Sequence, residues 1–505
     1  MPINTIFGWI IKKRIHQIDL FLQHPIEVQR ELLERLILEG RNTKYGSVYQ
    51  FNTIHDYEEF KRRVPLTEYN GIKEWVNRAI AGEEDVLWPG ETKWFAKSSG
   101  TTSDRSKFIP VTKRSLEECH YKGGKDLVAI NYNLYPETKI YTGKHLVVGG
   151  SAEYNLVRPD SYTGDLSSII IKNLPWWVEI KRTPSKETAL LAKWEEKIER
   201  LANETIHEDV TSISGVPSWT LVLINKILEK AGKDNLLQVW PNLELFMHGG
   251  VSFLPYKHEF ERLIPSTKMH YLESYNASEG FFGIQDKERG DLLLMLDYGI
   301  FFEFIPMSDF DGINSQKVVS LQEVEEGVEY ALVITTNGGL WRYIVGDTIR
   351  FTETHPYRFV VSGRTKNFIN AFGEELIVDN ADKAIQYACE HTDSLLKDYT
   401  ACPIFMQEGK QGGHEWVIEF RKEPRDLIEF TRLLDLKLRE INSDYDAKRT
   451  QNLTLDFPLV HKVSAGFFEK WLKNKNKLGG QHKVPRLLNS RNLMDELLEL
   501  NKMYK

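Results

Sequence analysis

KSSGTTSDRSK, Lys97–Lys107, gathers Ser98, Ser99, Thr101 and Thr102 about one glycine and places Lys107 a few residues on. Apolar residues flank it, Trp94, Phe95 and Ala96 before and Phe108, Ile109 and Val111 after, so the pattern predicts strand, tight loop, strand. Gly100 can take backbone angles closed to other residues. Around it, hydroxyls and N–H groups can converge on phosphate oxygens, with a lysine to balance charge. The P-loop signature is absent, because no G-x-x-x-x-G-K-[ST] follows. Taken alone, the same residues also describe a Ser/Thr-rich hairpin turn that binds nothing.

A chain of 505 residues is too long for one ordinary core, so two or more domains are expected. Sixty-five basic residues against 72 acidic ones leave a formal charge of −7, which offers no general attraction for nucleic acid or anionic membrane. Three cysteines, Cys119, Cys389 and Cys402, form neither a disulfide framework nor a paired-cysteine zinc site, which fits a reducing, cytoplasmic setting. The apolar start is interrupted by Lys12, Lys13 and Arg14 and reads as a helix lying on the protein's own core. No uninterrupted apolar stretch is long enough to span a bilayer, so stable membrane insertion is not expected.

Residues up to about Gly82 carry helical spacing, with Ile6, Ile10, Ile11, Ile15 and Ile18, then Val28, Leu32, Leu33, Leu36 and Leu38. Helices are expected at Leu116–Ile130, Glu187–Ile206 and Ser218–Ala231, and a buried strand ending in glycines at His145–Ser151. The middle is strand-rich: Leu243–Gly250, Met269–Tyr275, two strands within Leu292–Pro306, then Glu329–Thr336 and Leu340–Val345 about the turn Asn337–Gly339, and Tyr357–Gly363. After about Ile369 comes a smaller α+β unit, with helices at Val378–Cys389, Asp426–Ile441, Phe467–Asn474 and Asn492–Asn501, and strands near Cys402–Met406 and Glu415–Phe420.

Four further stretches carry chemistry-bearing residues. YNASEG, Tyr275–Gly280, follows a strand and offers an aromatic face and the Glu279 carboxylate, which suits Mg²⁺ on phosphate oxygens or, alternatively, the cap of a helix. Asp347 in WRYIVGD ends a strand, where its oxygens can accept from ribose hydroxyls or serve an ordinary turn. SGRTK supplies Arg364 and Lys366 at the expected domain junction, and reads equally as a solvated basic loop. GGQHKVPR, Gly479–Arg486, holds Lys483 between glycines and a proline, as an ammonium at a loop tip or one more charge on a basic surface. No stacking aromatics are interleaved there, which argues against a nucleic-acid surface.

These elements in this order resemble the acyl-adenylate-forming superfamily. Within it, KSSGTTSDRSK, ESYNASEGFFGI, FFEFIP, RYIVGD and QHKVPR are similar to the Gretchen Hagen, auxin-responsive family of acyl-acid–amido synthetases, from about Arg62 to Leu487. The resemblance implies a multidomain α/β fold. A large N-terminal adenylation domain (1–369) has a β-barrel and sandwiched sheets flanked by helices, and a small α+β lid (370–505) follows. It also implies two half-reactions. ATP and a carboxylic acid give acyl-AMP and pyrophosphate, and an amino acid's amine then displaces AMP.

By the same resemblance Ser98, Ser99, Thr101, Thr102 and Lys107 hold phosphates, and Glu279 holds Mg²⁺. Tyr275 and the backbone of Gly249–Gly250 frame the adenine, while Asp347 and Arg364 bind the ribose. Lys366 marks the hinge, and Lys483 bridges carboxylate and α-phosphate oxygens. Trp219 and Phe281 are candidates for an acyl pocket, with core packing as the other account of such aromatics. Asp104 stands where the family's loop usually has glycine, and HGGVSF (His248–Phe253) departs from the plant pattern. Two other readings keep the same fold: an acyl-CoA ligase, and a non-catalytic nucleotide-binding homologue. The second predicts loss of a charged catalytic group, yet Glu279, Asp347 and Lys483 are all present.

Overall fold

The computed structural model describes residues 2–98, 107–149, 155–191, 193–250, 253, 256–288, 290–365, 369, 376–404, 412–442, 445–446, 449, 455–475, 483–488 and 491–503. The chain forms two units: 1–250, 264–345 and 349–360 make the first, and 251–263, 346–348 and 361–505 the second. The second unit therefore recruits two short segments from well upstream of residue 370. Ser99, Thr101, Thr102, Asp104 and Lys366 lie outside the described residues.

In the first unit the opening residues are helical, at Pro2–Gln23, Pro25–Gly40, Tyr57–Arg63 and Tyr69–Ile80. The first helix lies on the core as its pattern requires, with Ile11, Ile18 and Phe21 buried. Its Arg14 is fixed by charge: Nη2 meets Asp126 at 2.6 Å and Nη1 meets Asp297 at 2.6 Å. Tyr298 donates to the same Asp126 carboxylate at 2.6 Å. Two carboxylates and a guanidinium are thereby satisfied together, which is what permits their burial.

One sheet of twelve strands runs through this unit. Five strands are parallel, in the order Arg182–Thr183, Lys144–Val148, Val210–Gly215, Leu245–Gly249 and His270–Ala277. The rest is built on antiparallel pairs: Gly280–Gln285, Leu292–Leu294, Tyr357–Arg364, Tyr343–Thr354, Glu329–Thr336, Ile300–Pro306 and Val319–Ser320 follow in order. A separate four-stranded sheet pairs Trp94–Ser98 with Lys107–Val111 in antiparallel register, Ser98 opposite Lys107, and continues through Ser161–Gly164 to Asn155–Arg158.

Several local expectations are corrected. Glu187–Ile206 is not one helix. Ser185 caps a short turn, Lys186–Ala189, and a second helix runs Trp194–Thr205, with Lys197 Nζ bound to the Ala189 carbonyl at 2.7 Å. The strand expected at Leu340–Val345 begins at Tyr343 and reaches Thr354. Trp341 and Arg342 belong instead to the bend, because Arg342 takes φ +45° and sends its guanidinium to Glu303. Val210–Gly215, a central parallel strand, was not expected: VTSISG lacks the aliphatic run that marks such strands.

The second unit has a three-stranded sheet, Leu395–Ile404, Gly413–Lys422 and Leu459–Val463. Strand alternation sends Tyr399, Ala401, Trp416 and Ile418 to one face, where helices Val378–His391 and Leu427–Ile441 cover them. Cys402 and Val417 turn to the other face, against helices Phe467–Asn474 and Asn492–Met503. The whole is a multidomain α/β architecture.

Candidate functional site

In the first unit the carboxyl ends of the parallel strands form a row. Val148 pairs with Gly215, Gly215 with His248, and Gly249 with Ser274. Open α/β sheets offer ligands a crevice at such ends. Small residues are required there: a Cβ on Gly249 would collide with the Ser274 carbonyl oxygen, and Gly250 takes φ +80°. The next strand, His270–Ala277, turns into Gly280–Gln285 through Ser278 and Glu279 alone, since Ala277 faces Gly280. This is a two-residue hairpin, so the helix-capping account of Glu279 is wrong. No helix starts here.

The aromatic candidates sit deeper. Tyr275 is buried, its ring centre 4.8 Å from that of Phe282 and 6.2 Å from that of Phe359. Phe281 is buried edge-on to Tyr298, 5.7 Å between centres, and closes over the bare backbone of Gly123. Trp219 lies half-buried in the first turn of helix Pro217–Ala231. Ser98 and Lys107 are half-buried and stand opposite each other in antiparallel register.

Burial sets the charge states along this sheet. Burial pushes His248 down to about 3. It holds His145 near 4, with both ring nitrogens bonded, to Ser212 Oγ at 2.9 Å and Ser214 Oγ at 3.0 Å. Glu273, beside His248 in register, is pushed up to about 7 by burial and then by the Asp291 charge.

In the second unit three candidates from separate motifs come together. Asp347 follows Gly346, whose φ of +93° turns the strand, and its Oδ1 lies 2.7 Å from Arg364 Nε. Thr365 N–H donates to the Gly346 carbonyl at 2.9 Å, and Ser362 bonds Thr348 at 3.1 Å, so both strands are pinned about the pair. Lys483 opens to solvent but is crowded by protein atoms. That crowding, and then the positive charge of Arg364, draws its ammonium down to about 8 against the opposing pull of Asp347. The ammonium is thus within electrostatic reach of the Asp347–Arg364 pair. Among the described residues, no group of three or more His, Cys, Asp or Glu could hold a metal ion by itself, and no helix is long and apolar enough to cross a membrane.

Three family domains match this chain: the GH3 family N-terminal domain over 14–269, the central domain over 293–364, and the C-terminal domain over 379–492. The chain belongs to the GH3 family. Among curated GH3 relatives, the indole-3-acetic acid-amido synthetase GH3.4 of Arabidopsis thaliana is 23% identical, over 94% of this chain and 91% of its own. The 4-substituted benzoates-glutamate ligase GH3.12 of the same plant is also 23% identical, over 92% and 93%. The jasmonoyl-L-amino acid synthetase GH3.5 of Oryza sativa is 22% identical, over 95% of each. The solved GH3.15 acyl acid amido synthetase superposes with a TM-score of 0.76 at 18% identity, covering 94% of this chain and 93% of that one. A 2-hydroxyisobutyryl-CoA ligase solved with an acyl-AMP gives 0.59 at 12% identity, covering 94% and 91%, so GH3 members and CoA ligases share the adenylate-forming fold.

Some residues of the site escaped sequence reading. The His145–Ser212–Ser214 cluster depends on a strand whose Ser/Thr pattern hides it. Arg486 stands inside the QHKVPR motif, and the sequence alone assigns it no role. Its position three residues beyond the lysine was the available signal, and its partners, Asp398 and Tyr256, lie too far off in sequence to be inferred.

Proposed function

We propose that this protein is an ATP-dependent acyl-acid–amido synthetase, which adenylates a small carboxylic acid and passes the acyl group to an amino acid amine. The observation that carries the reading is the cluster of Asp347, Arg364 and Lys483 in a GH3 chain. A carboxylate resists attack because its leaving group is poor, and conversion to a mixed anhydride with AMP removes that obstacle. The first half-reaction brings a carboxylate to the α-phosphate, anion to anion, so compensating charge is its main need. Lys483 supplies that charge by donating to the oxygens of both reactants. Asp347, held by Arg364, presents its carboxylate to the ribose hydroxyls as an acceptor. Ser98, Ser99, Thr101, Thr102 and Lys107 cradle the phosphates, the glycine pair Gly249–Gly250 lets the nucleotide approach closely, and Tyr275 flanks the adenine from the packed core. Trp219 and Phe281 border the acyl group, and Lys366 serves as the hinge between domains 1–369 and 370–505.

Mg²⁺ fits this donor set. That ion takes one or two carboxylates together with phosphates and water, not an all-protein cage, and the single carboxylate at the Ser278–Glu279 turn suits it. Glu279 would hold it, and the ion would neutralise phosphate charge.

Lys483→Ala tests the assignment. Acid-dependent ATP–pyrophosphate exchange should fall by ~10²–10³, the usual loss for a transition-state charge contact, while amide formation from supplied acyl-AMP persists. Equal loss of both steps rejects the role given to Lys483. Offering amino acids or coenzyme A to the preformed adenylate decides the acceptor, and consumption of coenzyme A alone would make the enzyme an acyl-CoA ligase.

A further inference from the structure

Three residues beyond Lys483, Arg486 is mostly enclosed and bonded on every side. Its Nη1 pairs with Asp398 and donates to the Tyr399 carbonyl at 3.2 Å. Its Nη2 donates to the Tyr256 hydroxyl at 3.0 Å, and the guanidinium carbon stands 4.6 Å from the centre of the Tyr399 ring. Tyr399 in turn donates to Asp382 at 2.7 Å. The backbone repeats the pattern. Ala401 N–H donates to the Arg486 carbonyl at 2.9 Å, Leu488 N–H to the Ala401 carbonyl at 2.9 Å, and Thr400 Oγ1 to the Pro485 carbonyl at 2.6 Å. Val484 and Leu487 are buried. Residues 484–488 therefore lie along strand Leu395–Ile404 as an added parallel edge, with a bridge between Ala401 and Leu487. Lys483 stands immediately before that anchored stretch.

We propose that Arg486 is the positioning residue for Lys483: it clamps the residues after the lysine to strand Leu395–Ile404 and to Tyr256, and so presents the ammonium beside Asp347 and Arg364. The proposal rests on the adenylating reading given above. A planar fork can serve a carboxylate, a carbonyl, a hydroxyl and an aromatic face at once, and a lysine ammonium cannot. The need for such a clamp follows from the chemistry, because a displacement of about 1 Å in a reacting group can cost ~10²-fold in rate. Tyr256 belongs to segment 251–263 of the same unit, so the clamp joins three stretches that are far apart in sequence.

The test compares full-length wild type, Arg486→Met, Arg486→Lys, Tyr256→Phe, Lys483→Ala and the Arg486→Met/Lys483→Ala double variant. Tyr256→Phe is included because Arg486→Met strands the Asp398 carboxylate and can unfold the unit. Three readouts are taken: acid-dependent ATP–pyrophosphate exchange, amide formation from supplied acyl-AMP, and competitive acetylation of Lys483 over a pH series by mass spectrometry, which needs no catalysis. Exchange should slow about 5-fold in Tyr256→Phe and ~10²-fold in Arg486→Met, with Arg486→Lys between and the KM for ATP within about 2-fold. The double variant should be no slower than Lys483→Ala, because Arg486 acts through that lysine. The labelling midpoint of Lys483, near 8 with Arg364, Asp347 and Arg486 about it, should rise when the Arg486 charge is removed. Losses that multiply in the double variant overturn the proposal. So do equal losses of both half-reactions in Tyr256→Phe, exchange that survives Lys483→Ala, or Lys483 labelling indifferent to Arg486. If the wild type exchanges with no acid offered while labelling still follows Arg486, the adenylating reading falls and the clamp stands.

Discussion

Arg342→Met isolates the ion pair beneath the strand that carries Asp347. Arg342 Nε and Nη2 each reach the Glu303 carboxylate at 2.9 Å, and Tyr57 donates to it at 3.1 Å. Arg342 Nη1 bonds the Lys61 and Val64 carbonyls, each at 2.8 Å. Glu303 is 0% and Arg342 3% exposed, so methionine leaves a carboxylate with no cation and no water. Removing one partner of a buried pair costs about 3–5 kcal/mol, and two orphaned carbonyls add ~1 kcal/mol each. The first unit has roughly 340 residues, and at ~2.1 cal/mol/K per residue its unfolding entropy is ~0.7 kcal/mol/K. A loss of about 5 kcal/mol thus lowers its melting temperature by about 7 °C. Differential scanning calorimetry of the full chain reads this as a fall in one transition. Glu303→Leu/Arg342→Met should recover most of the loss, because the stranded charge disappears with its partner. A fall of less than about 2 °C in the single variant, or a double variant as unstable as the single, would refute the reasoning.

Two more outcomes are expected. Glu279→Gln should raise the Mg²⁺ concentration needed for half-maximal exchange about tenfold or more, since a neutral amide is a poor ligand for a hard cation; an unchanged titration would leave Glu279 as a turn residue only. Acid should destabilise the first unit through His120, His145 and His248, which are held down to about 4, 4 and 3, burial being the main cause in each. Above the ordinary histidine value of 6.5 both states are neutral and nothing changes. As pH falls from 6.5 towards 4 the unfolded chain takes up protons that the folded one refuses, so stability is lost over that window. Urea titrations at pH 7 and pH 5 should show the lower midpoint at pH 5, and His248→Gln should reduce the difference. Equal midpoints would contradict burial as the cause.

Most of the element order was legible because it rests on short-range signals. Helix Leu427–Ile441 has Asp426 as its cap, accepting from Ile428 and Glu429 N–H, and an apolar stripe in period. The bend at Asn337–Gly339 was readable from its glycines, with Gly339 at φ +91°. What escaped depends on contacts distant in sequence. Nothing near Arg342 says that its side chain will turn inward to Glu303, 39 residues away, and that pairing sets where the next strand begins. Val210–Gly215 is a strand because Leu245–Gly249 and Lys144–Val148 flank it on both sides, not because VTSISG is apolar. The Arg486 web joins Tyr256, Asp382 and Asp398 across gaps of 230, 104 and 88 residues, beyond the reach of any local pattern.

The motif residues divide by what the fold asks of them. Tyr275 and Phe281 fill the interior of the first unit, and their aromatic character follows from that packing whether or not a ligand arrives. Glu279 is different. A two-residue hairpin favours Asn, Asp or Gly at its centre, and Glu279 stands there half-buried. Arg364 and Asp347 likewise form a half-exposed pair, of the kind worth ~0–1 kcal/mol to stability. Lys483 is held where crowding and the nearby positive charge of Arg364 disfavour its ammonium. A half-buried turn residue, a half-exposed pair and an exposed lysine bury less apolar surface than a core aromatic does. Substitution at Glu279, Asp347 and Lys483 should therefore cost activity at little cost in melting temperature, and substitution at Tyr275 and Phe281 should cost both.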